Sequence, residues 1–312
     1  MSSQTVMWAV FGILMIVMLA VDLGRNRTSH EVSFREALLW SSIWIALALV
    51  FNIGIYFMLG PQKALEFLAG YVIEKALSVD NLFVFLMIFS CFGVRNRHQA
   101  RVLKWGIIGA LIMRAVFIFA GIELLARFQW LFYVFGGILI VTAGKMAFGS
   151  EAEINPEKSL VVRTAKKLFP VTKRMYGDRF LIRKGGILAA SPLLLVLLLV
   201  ESSDLIFALD SIPAIFAVTL DPFIVFSSNI FAIMGLRSLY FLLANAMGMF
   251  AYLKIGVSGI LAYVGVKMIA GVSGFHIPIG ISLSLILAIL VLAVAASILQ
   301  ERVRRLQAPE CS

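Results

Sequence analysis

The sequence predicts an all-α polytopic membrane protein: nine transmembrane helices with an inverted three-helix internal repeat. An apolar composition, long apolar runs and a motif set that occurs twice carry that expectation. Of 312 residues, 61% are hydrophobic and 14% charged, and the mean hydropathy is +0.99. Soluble domains run near 25% charged. The apolar runs are continuous and about 20 residues long, which favours a helical bundle over the alternating tens of a β-barrel.

Span 1 covers about 5–23 and ends at Asp22, Gly24 and Arg25. It lacks a basic leader and an A-x-A-like cleavage site, so it reads as a retained first helix. Span 2, about 37–59, closes at Gly60-Pro61, and residues 1–63 form an N-terminal two-helix unit. Spans 3–5 follow within 64–148, at about 65–92, 105–125 and 130–148. Residues 149–186 are the one long hydrophilic segment, acidic first (Glu151, Glu153, Glu157) and then basic (Arg163, Lys166, Lys167, Lys173, Arg174). Within it, about 157–169 reads as a short helix on the membrane face, with Leu160, Val161, Ala165 and Leu168 inward.

Spans 6–8 occupy 187–272. Span 6, about 187–210, is expected to break at Pro213. Span 7, about 222–246, opens with Asp221-Pro222, a cap followed by proline at the first helical position. Span 8 is about 254–272, and residues 273–312 supply span 9 (about 277–299) and a soluble tail.

Lys and Arg fall in 24–36, 93–104, 149–186 and the tail, whereas 60–64, 126–129, 211–221 and 273–276 hold only Lys63 and Arg127 besides His276. The positive-inside rule then puts the N-terminus outside and the C-terminus in the cytoplasm. It also explains the +10 net charge through topology and anionic lipid, without nucleic acid. Cys91 and Cys311 stand 220 positions apart and make no disulfide framework.

The repeat is read from three matches. DNLFVFL from Asp80 matches DLIFALD from Asp204, Arg114 matches Arg237, and Lys145 matches Lys267. The offsets are 124, 123 and 122, so one register covers three elements. Three spans per copy force the second copy upside down. Many secondary transporters are built this way, with substrate sites near the midplane at the repeat interface.

Charges inside the apolar runs mark the candidate site, because each costs several kcal/mol in hydrocarbon. The first copy supplies Glu74, Asp80 and Asn81; the second supplies Glu201, Asp204 and Asp210. At about 100° per residue Glu201 and Asp204 share a helix face, whereas Asp210 lies half a turn away. One site for all three requires a break before Pro213. Asn229 is the further amide drawn to the site, while Asn52 and Asn245 read as glue between helices. Arg114, Arg237, Lys145 and Lys267 are the candidate counter-charges, because clustered carboxylates repel. Arg114 and Arg237 serve either as structural bridges or as gates, and the two lysines can also snorkel to opposite interfaces. An all-oxygen set suits Mg²⁺, Ca²⁺ or Mn²⁺, and bare carboxylates can equally relay protons. His30, His98 and His276 lie in or near loops, and no organic cofactor motif is visible.

At EKALSVDN (Glu74–Asn81) and VESSDLIFALDSIPA (Val200–Ala214) the chain resembles the TerC family. The stretches DPFIVFSSNIFAIMGLRSLYFLL and LAYVGVKM extend the likeness over nearly the whole chain. The resemblance implies a relative of the LysE and cation-exporter superfamily in the inner membrane, tied to manganese export and homeostasis. It also implies Mn²⁺ as substrate ion, held by Glu74, Asp80, Asn81, Glu201, Asp204 and Asp210. Some members have been labelled redox modulators, but a lone Cys91 at a span end and the absence of C-x-x-C give that label no support from the residues.

The leading expectation is therefore a non-enzymatic Mn²⁺ exporter, with proton coupling left open. The alternative is a non-transporting membrane metal sensor, or a partner supporting metal and redox homeostasis. Divalent cations, protons, the bilayer, a second copy and other membrane proteins are the partners considered.

Overall fold

The computed structural model describes residues 3–24, 33–148, 160–168, 170–172, 179–184, 187–245, 252–275 and 277–307. In order the elements are α1 (Ser3–Gly24), α2 (Phe34–Leu59), α3 (Pro61–Cys91), α4 (Asn96–Arg127), α5 (Leu131–Phe148), α6 (Leu160–Leu168), β1 (Leu181–Lys184), β2 (Ile187–Ala190), α7 (Pro192–Phe216), α8 (Pro222–Ile233), α9 (Leu236–Asn245), α10 (Leu253–Val272) and α11 (Ile279–Gln307). Residues Glu151, Glu153, Glu157, Lys173 and Arg174 of the hydrophilic loop lie outside the described residues, as do His30, His276 and Cys311.

Among the described residues, eight segments are long and apolar enough to cross a membrane, with α8 and α9 counted together. The remaining long helix is α3. Its 31 residues would reach about 46 Å, but it carries Lys63, Glu66, Glu74, Lys75 and Asp80. Apolar side chains face outward while charges face inward: Phe57 is 79% and Ile206 61% exposed, whereas Arg114 and Glu74 are fully buried. That polarity is the reverse of a water-soluble fold and suits hydrocarbon around the bundle.

Local chemistry sets the element ends. Gly60, at φ +96°, ends α2, and Pro61 starts α3 directly, so α3 begins earlier than the apolar run suggests. Asp221 caps α8 by accepting from Phe223 N (3.0 Å) and Ile224 N (3.4 Å), with Pro222 at the first helical position, as the sequence predicts. Its other oxygen takes Lys63 Nζ at 3.0 Å. Lys63 also holds Glu66 (2.9 Å), which accepts from Thr219 (2.7 Å). This knot fixes the start of α8 against the start of α3. Further along, Gly70 lies against Ser228 and Glu74 against Asn229, so the two helices run parallel.

α8 is the central helix, with every residue from Phe223 to Ile233 buried except Phe226. Aromatic rings of α1, α2 and α3 close around it, the tightest pair being Phe51 and Phe231 at 4.7 Å.

α4 starts earlier than expected, at Asn96, α11 runs on to Gln307, and three further features differ from expectation. α7 does not break before Pro213 but runs on to Phe216. Pro213 falls in its last turn, so the one helical hydrogen bond it removes, to the Leu209 carbonyl, lies at the end of the helix and leaves the turns before it paired. The discontinuity falls instead in the next span, between α8 and α9, at Met234-Gly235, where Gly235 has φ +80°. A Cβ there would lie 2.6 Å from the Trp44 ring, so glycine serves both the turn and the packing. Finally, Ile187–Ala190 pairs with Leu181–Lys184 as a hairpin and does not open the sixth span, which starts at Pro192. The short helix is present as α6, with Ala165 buried as expected and Val162 buried beside a half-buried Val161, while the side chains of Leu160 and Leu168 lie outside the described residues.

α5 and α10 form the most extensive helix pair. Gly136 and Gly265 meet so closely that a Cβ on either would sit 2.9 Å from the other's carbonyl oxygen. Seven residues on in α5, the Ala143 carbonyl accepts from Ser258 Oγ (2.8 Å), seven residues earlier in α10. The pair is therefore antiparallel. At the sequence offset of 122, Gly136 aligns with Ser258 and Ala143 with Gly265. Likewise α3 packs on α8 as α4 packs on α7.

Gly136→Ala should destabilise the fold by about 1–3 kcal/mol through overpacking. Its neighbour Gly137 faces open space. Gly137→Ala should be neutral or stabilising by up to about 1 kcal/mol. Unfolding in mixed detergent micelles measures both.

Candidate functional site

The centre of the bundle is a charge cluster where α3, α4, α7 and α8 meet. Arg114, from mid-α4, is fully buried, which is tolerable only with opposite charge beside it. One nitrogen donates to Glu74 of α3 and the other to Asp204 of α7 (3.4 Å). Glu74 also accepts from Asn229 Nδ2 of α8 (3.1 Å). Three helices are thus tied through one guanidinium, and Asn229 adds the fourth through Glu74. Several buried polar atoms around it have no hydrogen-bond partner: Asp204 Oδ2, Asn229 Oδ1, Ser78 Oγ and Arg114 Nε. Three of these are oxygens able to ligate a hard cation.

Glu201 stands one turn before Asp204 on α7 and adds like charge beside it. Its carboxylate packs on Gly109, where any Cβ would overlap it. Ser202 and Ser203 both donate back to the Leu199 carbonyl (2.9 and 2.8 Å), so their hydroxyls face their own helix and not the site. A cavity of about 20 Å³ is lined by Glu201, Asp204 and Arg237, room for about one water.

The other predicted residues are dispersed. Asp210 accepts from Thr142 of α5 (2.9 Å) and has Lys145 as its charged neighbour, so it belongs to a separate polar contact between α5 and α7. Asp80 faces Lys254 of α10. Asn81 is buried next to it in sequence. Arg237 does not bridge the carboxylates as expected. It donates to the Asp22 carbonyl (2.7 Å) and carboxylate (3.2 Å) at the end of α1. Lys267 lines a larger cavity of about 730 Å³ with Gln62, Gln129 and the ends of α7, α10 and α11. Among the described residues, no three His, Cys, Asp or Glu side chains lie close enough to hold one metal ion. A cation at the centre would need the two carboxylates together with the neutral oxygens.

Sequence reading missed Asp22, Thr142 and Lys254 as partners, and gave Lys75 no role. Asp22 carried a signal, as an acid inside the last apolar turn of α1. Thr142 carried none, because a threonine in an apolar helix has no distinguishing spacing. Asn52 leaves its Oδ1 without a partner, and the side chain of Asn245 lies outside the described residues.

A bundle with an apolar exterior and a buried ion-paired centre is a multi-pass integral membrane protein. The chain belongs to the integral membrane protein TerC family, whose profile matches residues 59–305. It is 51% identical over 297 residues to "Uncharacterized membrane protein STKORF319" of Myxococcus xanthus, covering 95% of this chain and 93% of that protein. It is 46% identical to "Putative membrane-bound redox modulator Alx" of Salmonella typhi, covering 91% of each. The Alx protein of Escherichia coli K12 is 45% identical, with 92% of each covered. No solved structure matches the chain.

Arg114→Ala should cost about 3–5 kcal/mol, because it leaves two buried carboxylates uncompensated. Adding Glu74→Gln and Asp204→Asn should recover most of that loss. Unfolding in mixed micelles compares the single and triple variants.

Proposed function

We propose that the protein serves metal and redox homeostasis from within the membrane, without catalysing a reaction, through a cation-responsive centre at Glu74, Asp204 and Asn229. The similarity to proteins named membrane-bound redox modulators favours this general role over a narrower one. The observation that carries the cation is Arg114. It occupies the space between the Glu74 and Asp204 carboxylates, where Asp204 Oδ2 and Asn229 Oδ1 lack partners. A divalent ion supplies positive charge at the same place, twice that of the guanidinium, and would use those oxygens as ligands. Arg114 then acts as the resident cation that an incoming ion must displace, which is a gating role.

The finer reading is export of Mn²⁺ across the inner membrane, with Glu201 and Asp80 along the route and protons as a coupling ion. The antiparallel α5–α10 pair, the exchanged α3–α8 and α4–α7 contacts and the broken α8–α9 span support it, since inverted repeats and discontinuous helices accompany alternating access. The small volume of the cavity beside Asp204 favours the other reading, a sensor or partner that binds without passing the ion.

Proteoliposomes loaded with Mn²⁺, Mg²⁺, Ca²⁺ or Zn²⁺ under an imposed pH gradient separate the two. Export predicts Mn²⁺ flux that falls at least tenfold in Asp204→Asn. The sensor reading predicts no flux in either protein, but calorimetric Mn²⁺ binding that Asp204→Asn removes. Neither flux nor binding in the wild type overturns both.

A further inference from the structure

The helix break between α8 and α9 holds a charged group that the central cluster does not use. Lys75 follows Glu74 on α3 but points to a different neighbour. Its Nζ donates to the carbonyls of Ala232 (3.2 Å) and Met234 (3.5 Å). Both residues are buried, at 0% and 1% exposure, so these carbonyls have no water to turn to. They belong to the last turn of α8, where the helix leaves its final carbonyls unpaired and presents the negative end of its dipole. Gly235, at φ +80°, turns the chain away and exposes them. Tyr71, one turn earlier on α3, lies with its ring 6.0 Å from the ammonium.

These features make a cation site of neutral oxygens. Half-helix C-termini and unwound carbonyls are the groups that hold alkali cations in broken-helix transporters. We propose that the α8–α9 break is a monovalent-cation site, of the kind that takes Na⁺ or K⁺, occupied here by the tethered ammonium of Lys75. The charge balance argues for a single charge. The break holds the single positive charge of the Lys75 ammonium, and an alkali ion in its place leaves that charge unchanged where a divalent ion does not. The carbonyls also offer dipoles without a carboxylate, a field too weak to strip a divalent ion of its water. The inference stands independently of the reading of Mn²⁺ at Asp204.

Removing the tether should open the site to a free ion. Purified Lys75→Ala, Lys75→Arg and wild-type proteins are melted in choline, Na⁺ and K⁺ chlorides at equal ionic strength, with no divalent metal present. Lys75→Ala should gain roughly 2–4 °C in Na⁺ or K⁺ over choline, saturably. Wild type and Lys75→Arg, which keep a tethered cation, should show no such difference. Where Lys75→Ala is too unstable to melt, its yield of monodisperse protein is compared across the three salts during purification. Rescue by Na⁺ or K⁺ but not choline supports the site. A Lys75→Ala protein equally stable, or equally lost, in all three salts overturns it. Because Mn²⁺ is absent throughout, that failure leaves the Asp204 reading intact, and loss of Mn²⁺ binding in Asp204→Asn leaves this one intact.

Discussion

The buried guanidinium of Arg114 is the constraint on which the centre of the molecule depends. An unpaired charge in a low-dielectric interior is prohibitively costly, so α4 can cross the bundle at this depth only where α3 and α7 bring Glu74 and Asp204 alongside. Asn229 adds α8 to the same contact. The placement of those partners begins a long way off, with Asp221 capping α8 and holding Lys63 so that α8 starts level with α3. Two helices of the same pitch, started together and running parallel, bring Gly70 to Ser228 and then Glu74 to Asn229. A surface-side salt bridge thus sets the register of a buried one.

The stretches that match in sequence are not used alike. Arg114 and Arg237 correspond in the sequence, but Arg114 sits in an unbroken helix between two acids while Arg237 follows the break at Gly235 and turns to Asp22 of α1. Because α1 lies outside both copies, it supplies the partner that makes the second half differ. The helix break and Lys75 fall on that same side. Divergence of this kind suits a protein that holds one ion centrally, since two equivalent sites so close together would repel each other's occupants.

Much of this arrangement could be read from residues alone, and where it could not the cause is physical. Charges within apolar runs pointed to Glu74, Asp204 and Arg114, because hydrocarbon leaves such groups few other uses. The Asp221-Pro222 start was legible because capping is local. The break was misassigned to Pro213, because the helix runs through the proline and ends only three residues later, at Phe216. The true break depends on Trp44 packing against Gly235, a contact nearly two hundred residues apart that no local pattern carries. Helical periodicity set Asp210 half a turn from Glu201 but left open where it points, and its partner Thr142 was invisible. Likewise the destination of Arg237 depended on where α1 ends.

The central claim is that Arg114 holds the place of a cation between Glu74 and Asp204. Anomalous diffraction or cryo-electron microscopy of the protein with Mn²⁺ tests it directly. The account predicts density for the ion within ligand distance of Asp204 and Asn229, with the Arg114 side chain withdrawn from at least one carboxylate. Mn²⁺ bound elsewhere while Arg114 still bridges Glu74 and Asp204 would contradict it.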